Sequence, residues 1–100
     1  MSGTAAIVGT GMAVPERVLA NADLERMVDT TDEWITSRTG IRERRIVADG
    51  AATSALGARA AAAALKDAGV APEDVDLILL ATLSPDTPCP STACLVQHKI

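Results

Sequence analysis

Trp34 is the only aromatic side chain in a chain of 100 residues that carries nineteen alanines. Aromatic rings bury roughly 150–250 Å² each and supply much of the bulk of an ordinary core. Without them, elements can approach closely through small side chains, but the remaining bulk must come from elsewhere. Hydrophobic residues still make up 48% and charged residues 22%, which is a globular composition and not a disordered one. A chain this short buries only about 60–70% of its unfolded surface when it folds alone. Val96-Gln97-His98-Lys99-Ile100 also carries no helix stop signal. The expectation is one domain, with residues 1–100 forming the N-terminal part of something larger.

Charge and hydropathy narrow the function classes. A formal net charge of −4 argues against a nucleic-acid partner, which would require phosphate neutralisation. No apolar run approaches the roughly 20 residues that span a bilayer, so no membrane association is expected. The first residues show no basic segment followed by an apolar one. Two cysteines, Cys89 and Cys94, are too few for a disulfide scaffold and wrongly spaced for a metal site. The reading is a cytoplasmic α/β chain without a metal.

Along the chain, Ala5–Met12 reads as a buried strand that loosens at Gly9 and Gly11. Asn21 is a candidate N-cap for a short helix with Leu24, Met27 and Val28 on one face. Thr31 caps a second helix, Asp32 to Thr39, which Gly40 ends in a left-handed conformation. Ile41–Ile46 is too charged for a central strand and reads as an edge or a solvated connection. Thr53 or Ser54 opens the longest helix, which Gly69 ends with Val70 folding back on Leu65. Leu77–Leu83 is a continuous apolar run of strand length, as expected for a strand covered on both faces. Ser91 caps a last helix.

Three motifs invite chemistry. Gly9-Thr10-Gly11 follows a candidate strand, but a dinucleotide fingerprint would put its third glycine at Val14, and Pro15 stands where the phosphate-binding helix should begin. Small residues at a strand end explain it better. Trp34 and Arg38 lie at i and i+4, so a helix presents a flat ring and a guanidinium on one face. That pair suits a heteroaromatic ligand with a nearby phosphate, while a core tryptophan beside a solvated arginine is the plainer account. Spacing alone leaves both open. Cys94 sits three residues after the Ser91 cap, where helix amides can lower a thiol pKa. Its only histidine neighbour in sequence is His98, and no third group orients the two, so a structural cysteine is the better reading.

Taken together, these segments resemble the β-ketoacyl-ACP synthase III enzymes. The markers are Ile7–Gly11, Val14-Pro15, Asn21–Leu24, Val28–Ile35, Arg38–Arg44, Asp76–Thr82 and Pro90–Cys94. The block Asp32-Glu33-Trp34-Ile35 followed by Arg38-Thr39-Gly40-Ile41 is the specific one. The resemblance implies a thiolase-like layered αβαβα fold, of which this chain supplies the first part of the N-terminal half, within a homodimer. It implies a decarboxylating Claisen condensation between an acyl-CoA primer and malonyl-acyl carrier protein (malonyl-ACP), with no metal or redox cofactor. By the same resemblance, Trp34, Arg38 and Thr30 belong to the CoA-binding wall. The catalytic cysteine, histidine and asparagine of the family belong to segments absent from these 100 residues, so no catalytic residue is assigned and Cys94 matches an earlier, non-catalytic cysteine.

Cys89 departs from the pattern, because that position is commonly a bulky aromatic that helps close the partner subunit's acyl pocket. A short-chain acetyl preference is therefore in doubt. Two other readings stand beside the first: a priming ketoacyl synthase of secondary metabolism, and a non-catalytic CoA-binding or dimerisation fragment.

Overall fold

The computed structural model describes residues 3–100, which divide into two compact units: Val14–Gly50, and the residues up to Ala13 together with Ala51–Ile100. The first unit begins with β1, Arg17–Ala20, and α1, Asn21–Met27. It continues with α2, Asp32–Thr39, and β2, Glu43–Ile46. Strands β1 and β2 form an antiparallel ribbon in which Arg17 faces Ile46 and Ala20 faces Glu43. The segment read as an edge or solvated connection is indeed a two-stranded edge. Its partner Arg17–Ala20 carries too little alternation to stand out in the sequence.

Asn21 does not cap α1. Ala20 occupies that position, with its amide donating to Asp23 Oδ2 at 3.0 Å, and Asn21 is the first helical residue, 2% exposed. The cap role of Asn21 is displaced because its side chain is engaged in tertiary hydrogen bonds. α2 follows its local signals closely. The Thr31 hydroxyl accepts from the Trp34 amide at 3.1 Å, and Gly40 ends the helix at φ 69°. At that φ a side chain is disfavoured, which is why glycine belongs there.

The second unit is built around α3, Thr53–Ala68, and α4, Thr92–Lys99, with a 3₁₀ turn at Pro72–Asp74. Neither Thr53 nor Ser54 caps α3; that place falls to Ala52. The first turn is instead tied to a distant loop. The Ser54 amide donates to Asp86 Oδ1 at 2.8 Å, and the Thr53 hydroxyl to the Ser84 carbonyl at 2.6 Å. The end at Gly69 is as expected, with φ 66° and the Val70 amide bonded to the Leu65 carbonyl at 3.0 Å. Ser91 caps α4, accepting from the Cys94 amide at 3.4 Å.

The two apolar runs read as strands form no ladder among the described residues. Ala5–Met12 is exposed except at Gly9, and Ile7 and Met12 are among its exposed apolar side chains. Leu77 and Leu79 are likewise exposed, whereas Ile78 and Leu80 are half-buried. The run is therefore covered on one face, not two. A ladder requires a hydrogen-bonded neighbour, and neither segment has one here. What the runs do pack against is α3. A Cβ at Gly11 would meet the backbone of Ala60, Ala63 and Ala64, and Leu80 reaches toward Gly57 on the same helix. The alanines of α3 are what permit this approach. Val96 on α4 is the one fully buried hydrophobic side chain among the described residues.

Candidate functional site in the unit 14–50

α2 presents Trp34 and Arg38 as their spacing requires. The Arg38 guanidinium carbon lies 5.3 Å from the centroid of the Trp34 ring, within cation–π range. Trp34 is 55% exposed among the described residues, so within this segment the ring is offered to solvent. A shallow groove of about 190 Å³ runs along it, lined by Asp29, Thr30, Thr31 and Trp34. The structure thus brings Thr30 and Trp34 to one groove and sets Arg38 over the ring. Asp29 is the single charged side chain lining the groove.

α2 itself has no buried residue. It is held by polar contacts. Asn21 Nδ2 donates to Asp32 Oδ1 at 2.7 Å and to the Ile41 carbonyl at 2.8 Å, with a longer approach of 3.3 Å to Thr36 Oγ1. Asn21 Oδ1 accepts from Arg44 Nη2 at 2.7 Å, and the Asn21 amide donates to the Arg42 carbonyl at 3.1 Å. Glu25 accepts from the Asp32 amide at 2.6 Å. The donors from Asn21 and Thr36 hold the Asp32 carboxyl below its ordinary pKa against the opposing effect of desolvation, with a lesser contribution from the charge of Arg42. Sequence reading missed this arrangement. Its partners are 11 to 23 residues from Asn21, beyond any local pattern.

The cysteines lie in the other unit. Cys89 and Cys94 are both free and exposed. Ser91 Oγ donates to Cys94 Sγ at 3.2 Å, a polar contact where close packing was expected. Cys94 also lines a larger hollow of about 510 Å³, formed by residues of the Pro72–Ile78 stretch and one face of α4. That hollow contains none of Thr30, Trp34 and Arg38. Among the described residues no cluster of three or more His, Cys, Asp or Glu side chains is placed to hold a metal, and no helix is long and apolar enough to cross a membrane.

No family model matches the chain. Individual proteins do. It is 65% identical over 94 residues to β-ketoacyl-(acyl-carrier-protein) synthase III of Symbiobacterium thermophilum, covering 94% of this chain and 28% of that protein. The crystal structure of 3-oxoacyl-(acyl-carrier-protein) synthase III from Aquifex aeolicus superposes with a TM-score of 0.88 at 54% identity, over 93% of this chain and 30% of that one. The priming β-ketosynthase of a polyketide biosynthetic pathway gives the same TM-score at 33% identity, over 93% of this chain and 28% of its own. The fold is accordingly that of a segment of a thiolase-like α/β synthase. By sequence and by fold the chain is similar to β-ketoacyl-ACP synthase III enzymes over nearly all of its residues, and it spans about three tenths of the length of the relatives it matches.

Proposed function

We propose that the complete protein carries out the initiating condensation of an acyl-CoA primer with malonyl-ACP, and that residues 1–100 supply part of the wall that holds CoA. The observation that carries this reading is the solvent-facing Trp34 ring with the Arg38 guanidinium 5.3 Å from its centroid. A purine stacks on an indole regardless of its hydrogen-bonding edge, and a guanidinium beside it is matched to phosphate oxygens. Thr30, in the groove along the ring, adds a hydroxyl that can donate or accept. In this reading the chain contributes binding and no reacting group, because the nucleophile and its partners belong to segments outside it. No metal or redox cofactor is required, the complete protein is a homodimer acting in the cytoplasm, and Cys89 lies near the end of the partner subunit's acyl pocket.

The similarity to a polyketide priming synthase supports a second reading, in which the same condensation primes secondary metabolism. The Trp34–Arg38 pair serves either one, since both begin from an acyl-CoA. A purely non-catalytic CoA-binding or dimerisation role is the third, and it separates from the others by the absence of any acyl transfer in the full-length protein.

The test is kinetic, on the full-length enzyme. Trp34→Ala and Arg38→Ala remove contacts remote from the thioester, so ground and transition states lose similar binding energy. KM for acyl-CoA should rise while kcat changes little. Loss of one base-stacking ring is worth about 1–3 kcal/mol, or roughly 5- to 150-fold in KM. An unchanged KM in both variants would overturn the assignment of this face.

A further inference from the structure

We infer that Asn21 is a positioning residue for the ligand-binding face of α2, an inference that rests on the CoA reading of Trp34 and Arg38. α2 is eight residues long with none of them buried, and isolated helices this short are marginal in water. Ile35, half-buried, is its one covered apolar side chain, too little to fix its orientation alone. The side chain of Asn21, 2% exposed, fixes it by reaching both of its ends. Its two amide protons are taken at 2.7 Å by Asp32, in the first turn, and at 2.8 Å by the Ile41 carbonyl, just past Gly40.

Asn21 is in turn fixed to the ribbon. Arg44 donates to its Oδ1 at 2.7 Å while also donating to the Leu19 carbonyl at 3.3 Å, and the Asn21 amide bonds the Arg42 carbonyl. One buried carboxamide therefore couples β1, β2 and both termini of α2. Trp34 and Arg38 lie between those termini on the solvent side, so a rotation or tilt of α2 moves the ring and the guanidinium together. A buried amide with every polar atom satisfied has a single low-energy orientation, because any other leaves donors unpaired. That is the property a positioning group needs.

The experiment is a mutant cycle on the full-length enzyme, reading KM for acyl-CoA and kcat at a temperature where circular dichroism shows each variant folded. Asn21→Ala should raise KM by about 5- to 50-fold, no more than removing the ring itself, with kcat changed less than about two-fold. In a Trp34→Ala/Arg38→Ala background the same substitution should have no further effect on KM, because it acts through those two side chains. Asp32→Ala, which removes the tether at the first turn together with the Thr36 contact and lies at the surface, should give a smaller rise of the same kind and stands in if Asn21→Ala does not fold. A KM that rises equally in both backgrounds, that does not rise at all, or that is accompanied by a matching fall in kcat overturns the positioning role. If Trp34→Ala/Arg38→Ala itself leaves KM unchanged, it is the CoA reading that fails, and the inference built on it fails with it.

Discussion

Gly11 and Gly57 both face α-helical neighbours, yet alanine at the two positions should have opposite consequences. A Cβ at Gly11 would collide with the Ala64 nitrogen and lie 2.5 Å from the Ala60 carbonyl oxygen and 2.9 Å from the Ala63 carbonyl carbon. All three are backbone atoms of α3, which cannot rotate away. Ordinary contact of a carbon with such atoms is about 3.4–4 Å, so the segment would have to withdraw by about 1 Å. Withdrawal also strains the hydrogen bond from the Thr10 amide to Asp67 Oδ2, 3.0 Å long. Overpacking of this kind costs about 1–3 kcal/mol where side chains can yield, and here none can, so about 3 kcal/mol or more is expected. At Gly57 the nearest atoms are the ends of side chains, Val96 Cγ2 at 3.1 Å and Leu80 Cδ1 at 3.6 Å. Alanine gains about 1 kcal/mol of helix propensity there, which offsets a small displacement of Val96. Urea denaturation followed by circular dichroism compares the unaltered protein, Gly11→Ala and Gly57→Ala directly. The expected order puts Gly57→Ala within about 1 kcal/mol of the unaltered protein and Gly11→Ala far below both. Ala64→Gly should not rescue Gly11→Ala, since the offending atoms are not side-chain atoms. A Gly11→Ala variant as stable as Gly57→Ala would refute the reasoning.

Two further outcomes can be checked. Hydrogen bonding from Ser54, aided by the charge of Lys99, holds the Asp86 carboxyl below its ordinary pKa, and Asp32 is depressed chiefly by Asn21. A carboxyl whose folded pKa lies below its unfolded one contributes stability that is complete above the unfolded value and is lost as pH falls through the folded value. Stability should therefore decline below about pH 4, and Asp86→Asn should flatten that decline; an identical slope in the variant, from pH 5 to 2.5, would remove Asp86 from the account. If the exposed thiol of Cys89 lies at the acyl pocket as proposed, the full-length protein should accept primers longer than acetyl, at about 0.8 kcal/mol per buried methylene. Comparing kcat/KM for acetyl-CoA and for six- to eight-carbon primers before and after Cys89→Phe checks this, and a strong acetyl preference indifferent to the substitution counts against it.

The parts of this molecule legible in its sequence are those whose causes are local. Thr31, Gly40, Gly69 and Ser91 mark helix ends because capping involves atoms within four residues. The i, i+4 spacing of Trp34 and Arg38 placed them on one face, although only the structure showed that face open to solvent. Reading Leu77–Leu83 as covered on both sides failed for a different reason. Apolar composition records what a segment is suited to touch, and among the described residues only its Ile78 and Leu80 side is covered. Asn21 and Asp86 escaped notice because their partners lie 11 to 32 residues away in sequence. An asparagine before a helix signals a cap by default, and nothing local distinguishes one that has turned inward.

The division of the chain into one continuous unit and one discontinuous unit has a kinetic side. Residues Val14–Gly50 are contiguous, whereas the other unit joins the residues up to Ala13 to Ala51–Ile100 across the whole of that insert. Closing a flexible loop of a few tens of residues costs about 3 kcal/mol in chain entropy, and nearby contacts form sooner than distant ones. Seating Gly9 and Gly11 against Ala60, Ala64 and Ala68 carries that full cost if the insert is still unfolded. Once the insert has folded, its two ends no longer explore so wide a range of separations, and the cost falls. Asn21 and Arg44, by ordering Val14–Gly50, thus help set how fast a segment they never touch finds its place on α3.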